Sequence, residues 1–203
     1  ANRTFETMRF NEKHTATNPI TGETLTPMPF FNTSTDGQSL PTLNLSRVFV
    51  LTGSGTCSAS ESVINGLRGI GVEVIQVGSR TCGKPYGFYP TDNCGTTYFT
   101  IQFRGENAQG FGDYADGFSP QNASIQTTVL PGCQVADDFS QPLGDTSESR
   151  FAAALQYRES GSCPTPSAIG TPGLEKSRSV EYTEEDLYLP KPPWREMRIV
   201  ETH

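Results

Sequence analysis

Histidine and charged residues are scarce in this 203-residue sequence. It contains two His, one Trp and five Cys, and charged residues make up 18% of it, below the usual share of about a quarter. Two histidines, with no zinc-finger spacing of the cysteines, exclude a structural zinc site. His14 lies in a loop-like segment and His203 is the last residue. A Ser-His-Asp triad is therefore poorly supported, and we expect no metal and no cofactor.

Positive charge and long apolar runs are also lacking. The formal net charge of −7 argues against binding to nucleic acid. We find no signal peptide and no transmembrane run. The sequence opens at Ala1 without Met, so we expect a piece of a longer protein. Lysine is rare while Thr, Ser, Asn, Gly and Pro are abundant, which predicts a periplasmic or extracellular location.

The five cysteines leave two arrangements open. One is a set of five reduced, buried thiols. The other is two disulfides and one free thiol, which suits an oxidising compartment. In that case Cys82 and Cys94, which flank a turn-rich segment, form one pair, and Cys133 and Cys163, on either side of a predicted helix, form the other. Cys57 is then the unpaired cysteine.

The segment from Arg47 to Lys84 has the pattern of a βαβ unit. An apolar run at 48–51 predicts a buried strand, and turn residues at 52–56 end it. A helical pattern follows, with Ala59, Val63, Leu67 and Ile70 on one apolar stripe and Ile64 beside it, and Gly71 ends the helix. A second strand is predicted at 72–77. Such a crossover implies parallel strands and places this chain in the α/β class.

The rest of the chain divides around this unit. We predict an irregular N-terminal segment at 1–45, a catalytic core at 46–160, and a linker and C-terminal tail at 161–203. Further strands are predicted at 97–103 and 124–130, and a helix at 147–159.

Ser58 lies where the first strand of the βαβ unit passes into its helix. A helix start offers unpaired backbone N–H groups, which can stabilise an oxyanion when a serine attacks a carbonyl. Lys84 follows the second strand, so both residues should lie at one edge of the sheet. A lysine can serve as the base if burial depresses its pKa from about 10.4 toward neutrality. Competing nucleophiles are Ser54, Cys57 and Ser60. A structural role is the alternative: Ser58 as a helix cap and Lys84 as a surface lysine. Glu61 is either a capping carboxylate or a partner of Ser60.

Two motifs give this segment a specific resemblance. Gly55-Thr-Cys-Ser-Ala-Ser-Glu61 and Val77-Gly-Ser-Arg-Thr-Cys-Gly-Lys84 resemble the carboxyl-terminal processing (tail-specific) protease family, in a bacterial subgroup. The resemblance covers residues 46–103 well, as the C-terminal part of the family's catalytic domain. It implies that Ser58 is the nucleophile, Lys84 the general base and the Ala59 N–H half of the oxyanion hole. Ser60, Glu61 and Gly83 are the supporting positions.

The same resemblance implies a layered crotonase/Clp-protease-like fold and an exported protein, which in this family often carries a PDZ domain. The sequence departs from the family in three ways. Phe88 replaces the usual glutamine, Ser79 stands where Glu is frequent, and a strand supplying a second oxyanion donor would have to precede residue 1. Phe88 leaves open what orients Lys84.

These observations predict a serine endopeptidase with a Ser58–Lys84 dyad, acting on exported polypeptides through an acyl-enzyme. The alternative is a non-catalytic peptide-binding or structural module on the same fold. An acyl-CoA-binding relative has no support, because the sequence shows no basic pocket for phosphates. The sequence does not specify the oligomeric state.

Overall fold

The computed structural model describes residues 3–124 and 128–165. The chain forms a mixed α/β fold with parallel and antiparallel sheets. Its helices are α1 (Ala59–Gly69) and α2 (Ser149–Ser160). Its strands are β1 (Thr4–Arg9), β2 (Met28–Pro29), β3 (Arg47–Thr52), β4 (Glu73–Gly78), β5 (Tyr86–Gly87), β6 (Thr91–Asn93), β7 (Thr96–Tyr98), β8 (Phe103–Glu106), β9 (Phe118–Pro120), β10 (Thr128–Leu130) and β11 (Gly132–Gln134).

The central sheet is parallel and has the order β11-β4-β3. β3 and β4 pair over six residues each, from Arg47 opposite Glu73 to Thr52 opposite Gly78. The predicted βαβ crossover is confirmed, because α1 connects these two parallel strands. The register also brings the two strand ends level with each other, and the loops that follow them begin side by side.

Side chains of the central sheet alternate between two apolar clusters, as the two-residue period of a strand requires. On one face, Ile75 and Val77 pack with Tyr157 and the alanines of α2. On the other, Val74 packs with Ile64 of α1 and with Phe118. The sheet is therefore covered on both faces, which explains why its strands read as continuous apolar runs.

The buried face of α1 differs from the predicted stripe. Val63 is about half exposed, whereas Glu61, Ile64 and Asn65 are buried. The stripe was wrong because two polar side chains occupy the buried face. Asn65 donates to the carbonyl of Phe111 at 2.8 Å, and Glu61 accepts bonds from a neighbouring loop. Hydrophobic periodicity does not register polar residues whose partners lie far away in the sequence.

An antiparallel sheet with the order β2-β1-β8-β5 contacts α1 through β1 and β8. The single strand predicted at 97–103 is wrong. Residues 91–98 instead form the hairpin β6–β7, and β8 begins at Phe103. Cys94 and Gly95 form the turn with φ of 49° and 77°, and two positive φ values suit a tight hairpin. The helix predicted at 147–159 is confirmed as α2, with Glu148 as its cap.

Two disulfides are present. The predicted Cys133–Cys163 bond is confirmed, and it joins β11 to the segment after α2. None of the described helices is long and apolar enough to cross a membrane. The domain boundaries at 45 and 160 stay a prediction, and most of the predicted tail lies outside the described residues.

Candidate active site

The loops after β3 and β4 run side by side at one edge of the parallel sheet. The Ser79 N–H donates to the carbonyl of Thr52 at 2.9 Å, and the Thr52 hydroxyl donates to the carbonyl of Ser79 at 2.7 Å. Further out, the Cys82 N–H donates to the carbonyl of Thr56 at 3.0 Å. These bonds hold residues 53–58 and 79–84 together, so the loops that carry Ser58 and Lys84 are neighbours.

Ser58 immediately precedes α1 in an unusual backbone conformation. Its φ is 52° and its ψ is −112°, a combination that residues with a Cβ atom rarely adopt. A residue in such a region is held there by its surroundings, at a cost of about 1–3 kcal/mol. Strain of this kind clusters at functional sites. Ser58 is half-buried and lies at the sharp turn from β3 to α1.

The carboxylate of Glu61 connects the two loops. This side chain is completely buried. One oxygen accepts the Ser58 N–H at 3.0 Å and the Lys84 N–H at 2.8 Å. The other accepts the Gly83 N–H at 2.8 Å and the Thr81 hydroxyl at 2.5 Å. A buried carboxylate with this many donors is well satisfied, and it fixes the backbone of both predicted dyad residues.

A disulfide between Cys57 and Cys82 joins the same two loops, with Cα atoms 5.3 Å apart. The predicted Cys82–Cys94 pair and the free Cys57 are therefore wrong. Cys94 is the free cysteine, exposed at the tip of the β6–β7 hairpin. Cys57 and Cys82 follow the ends of paired strands by five and four residues, a spacing that points to the correct pair. As a disulfide sulfur, Cys57 is no competing nucleophile.

Gly83 allows the second loop to pack tightly before Lys84. Its φ is 78°, and a Cβ placed on it would lie 2.0 Å from the carbonyl oxygen of Ala115. Lys84 itself is exposed, which differs from the buried environment expected of a lysine base. The loops bring the backbones of Ser58 and Lys84 onto one carboxylate, and a reacting distance between Oγ and Nζ stays a prediction.

The remaining predicted positions lie on the first turn of α1. Ala59 and Ser60 are exposed. Ala59 is the first residue of the helix, where backbone N–H groups have no acceptor within the helix. The Ser60 N–H donates to the carbonyl of Cys57 at 3.1 Å. The role of the Ala59 N–H as an oxyanion donor stays a prediction.

Phe88 lies after β5, and its ring packs edge-to-face against Phe99 with centroids 5.5 Å apart. Phe88 therefore makes an aromatic contact at the position where the carboxyl-terminal processing protease family carries a glutamine. The polar contact that fixes the Lys84 backbone comes instead from Glu61. The predicted capping role of Glu61 is confirmed by the bond from the Ser58 N–H, whereas its bonds to Gly83 and Lys84 were not predicted.

A cleft of about 310 Å³ opens beside the two loops. Ser54, Ser79, Arg80 and Cys82 contribute to its wall. His14 lines a different cleft, of about 400 Å³, next to β1 and β8. Ser58 is among the lining residues of neither cleft, so no described cleft connects His14 with Ser58.

Electrostatics on the buried side of α1 involve Glu6, Ser62 and Tyr114. Burial raises the pKa of Glu6, and a hydrogen bond from Ser62 opposes that rise. Burial raises the pKa of Tyr114 to about 12, and the charges of Glu6 and Glu61 act in the same direction. Tyr114 therefore stays protonated at neutral pH and is no candidate for a base.

Comparison with known proteins supports the fold of a protease. No protein-family model matches the sequence, and no curated protein matches it either. A crystal structure from Bacteroides fragilis NCTC 9343, provisionally described as an S41 protease, is similar to this chain with a TM-score of 0.55 and 25% sequence identity. The match covers 79% of this chain and 38% of that one. The likeness supports the S41 family at the level of the fold and suggests a peptidase.

Proposed function

We propose that this chain is part of the catalytic domain of a serine peptidase that uses Ser58 as nucleophile and Lys84 as general base. The observation that carries the proposal is the pair of loops held together by Glu61: one brings a strained serine to the start of a helix, and the other presents a lysine. The similarity to a structure described as an S41 protease supports it. The layered crotonase/Clp-protease-like architecture and membership of the bacterial subgroup of the carboxyl-terminal processing protease family belong to the same proposal.

The proposed reaction proceeds through an acyl-enzyme. Neutral Lys84 takes the proton from the Ser58 hydroxyl as its oxygen attacks the peptide carbonyl. The Ala59 N–H donates to the resulting oxyanion, which the positive end of α1 also stabilises. The lysine proton passes to the departing amine. Water then attacks the ester with Lys84 again as base, which releases the second product and restores Ser58.

We further propose that the substrate is an exported polypeptide and that the protein acts outside the cytoplasm. Two disulfides join four of the five cysteines, a use of cysteine that is typical of oxidising compartments.

Labelling with a serine-reactive phosphonate tests the proposal on the full-length protein, with mass spectrometry to locate the adduct. We expect modification at Ser58 that is lost in Lys84→Met. The matched controls are Ser54→Ala, which removes a neighbouring exposed hydroxyl, and Lys13→Met, which removes a lysine from another region. Both should be labelled at the wild-type rate. An adduct at Ser54 or Ser60, or equal labelling of Lys84→Met, would contradict the assigned roles.

A non-catalytic peptide-binding module is the second candidate, favoured by Phe88 at the position of the family's glutamine. It predicts that the full-length protein binds unfolded polypeptide without hydrolysing it and without reacting at Ser58. Binding with no phosphonate adduct would replace the peptidase proposal by this one.

A further inference from the structure

We propose that the Cys57–Cys82 disulfide is a redox-sensitive link between the two reactive loops, and that its reduction by a dithiol slows attack by Ser58. This inference deepens the proposed function and rests on it. The bond lies one residue before the proposed nucleophile and two residues before the proposed base. It is thus a covalent connection between the two halves of the dyad.

The other described connections between the loops are hydrogen bonds, which are weaker than a covalent bond. Near their outer ends, one backbone hydrogen bond joins Cys82 to Thr56, and the carboxylate of Glu61 accepts bonds from both sides. Residues 53–58 contain neither helix nor strand. The disulfide therefore restricts a segment that little secondary structure holds.

The backbone of Ser58 depends on such restriction. Its φ of 52° and ψ of −112° are unfavourable, and a conformation of this kind persists only when neighbouring contacts enforce it. Reduction removes the covalent constraint on the preceding residue. We expect Ser58 to relax toward a commoner conformation, which moves its hydroxyl relative to Lys84 and to the Ala59 N–H.

A reductant can reach this bond. Cys57 and Cys82 are both half-buried, and Cys82 lines the cleft of about 310 Å³. In the other disulfide only Cys163 is half-buried, and Cys133 is completely buried, so one of its two sulfurs is closed to a reductant. A dithiol of suitable size should therefore reduce the first bond before the second.

The redox step is ordinary thiol–disulfide exchange. One thiolate of the dithiol attacks a sulfur of the Cys57–Cys82 bond, which forms a mixed disulfide and releases the other cysteine as a thiolate. The second thiol of the dithiol, as its thiolate, then displaces the remaining cysteine. The dithiol gives up two electrons and becomes a cyclic disulfide, while Cys57 and Cys82 each end as a protonated thiol.

The experiment compares oxidised and dithiothreitol-treated full-length protein in a Cys94→Ser background, which removes the exposed thiol that could exchange with the bond. Alkylation and mass mapping identify conditions in which Cys57 and Cys82 are reduced while Cys133 and Cys163 stay paired. We expect phosphonate labelling of Ser58 and kcat for a peptide to fall at least about 10-fold, since a misplacement of 1 Å can cost 100-fold. KM should change less than about twofold, and reoxidation should restore the rate.

A second variant, Cys57→Ala/Cys82→Ala in the same background, keeps the test independent of the reductant. It should be slow from the outset and unaffected by dithiothreitol. Circular dichroism at the assay temperature must show a native spectrum in every sample. Loss of that spectrum together with activity would overturn the positioning role in favour of general stability. Equal labelling of oxidised, reduced and variant protein would overturn the inference alone, whereas no labelling of the oxidised parent would overturn the proposed function beneath it.

Discussion

The two disulfides close loops of almost equal length in opposite surroundings. Their sequence separations are 25 and 30 residues, so loss of chain entropy in the unfolded state stabilises each by about 3.5 kcal/mol. Cys57–Cys82 joins polar loops at the edge of the sheet. Cys133 lies among Ile75, Val77 and Tyr157 in an apolar layer. The same chemistry thus constrains the proposed site in one region and the core in the other.

The comparison separates two kinds of burial. On the α2 side, apolar side chains fill the space, and we expect substitutions to change stability far more than chemistry. At the loop edge, buried polar groups satisfy one another and hold backbone in place. We expect substitutions there to lower the reaction rate more than they lower the free energy of unfolding.

The largest expected effect comes from Ser58→Gly at the loop edge. We predict that peptide hydrolysis falls about 10⁴-fold or more. The free energy of unfolding should rise by about 1 kcal/mol, because glycine adopts this backbone conformation without strain. Kinetic assays and urea denaturation measure the two effects. Ser58→Ala is the matched control: it should be as inactive but gain no stability, since it keeps a Cβ.

Tyr157→Ala tests the opposite side. Tyr157 packs edge-to-face on Phe49 with ring centroids 6.3 Å apart and is almost completely buried. Removing the ring should lower the free energy of unfolding by about 3–4 kcal/mol. The rate of Ser58 labelling at a temperature well below unfolding should not change. Tyr98→Ala, on an exposed strand, is the control and should alter neither the free energy of unfolding nor the labelling rate. A slower labelling rate in Tyr157→Ala would contradict the separation between residues that set stability and residues that set the reaction rate.

Glu61→Gln should affect both quantities, because Glu61 belongs to the core by burial and to the site by its partners. Exchanging one carboxylate oxygen for an NH₂ group removes the charge and sets a donor against a donor. We predict a loss of about 2 kcal/mol in unfolding free energy. We also expect kcat to fall under conditions in which the variant remains folded. Glu159→Gln on the exposed face of α2 is the control, with an expected change within about 0.5 kcal/mol. An unchanged kcat in Glu61→Gln would contradict the proposed role of Glu61 in positioning Ser58 and Lys84.

The smallest expected effect concerns pH and Glu6. Burial raises the pKa of Glu6 in the folded protein above its value in the unfolded chain. The folded state therefore binds the proton more tightly, and stability falls as pH rises from the unfolded pKa through the folded one. Glu6→Gln should lack that fall, so the difference in unfolding free energy between the two proteins should change between pH 4 and pH 7 in favour of the variant. Parallel stability profiles across this range, from urea denaturation, would contradict the prediction.

Much of the parallel sheet could be predicted from the sequence. The apolar runs of β3 and β4 are buried on both faces, and the segment between them has room only for a helical crossover. Ser58 and Lys84 could be placed near one edge for the same reason. The buried face of α1 could not be predicted, because Glu61 and Asn65 lie inside only by virtue of partners in other loops.

The disulfide pairing shows where local reasoning ends. Cys82 and Cys94 are close in sequence, but the turn at Cys94 faces away in an exposed hairpin. Cys57 and Cys82 are 25 residues apart, and only the register between β3 and β4 brings them together.

The sequence by itself determined the βαβ unit, the position of Ser58 at the start of a helix and the family resemblance, since hydrophobic periodicity and short motifs are local properties. Only the tertiary structure decided that Cys57 pairs with Cys82, which face of α1 is buried and that Glu61 holds both loops. Those features depend on hydrogen bonds and close approaches between residues about 20 or more positions apart. Those hydrogen bonds and close approaches stabilise the protein only after the pairing of β3 with β4 has brought the loops together.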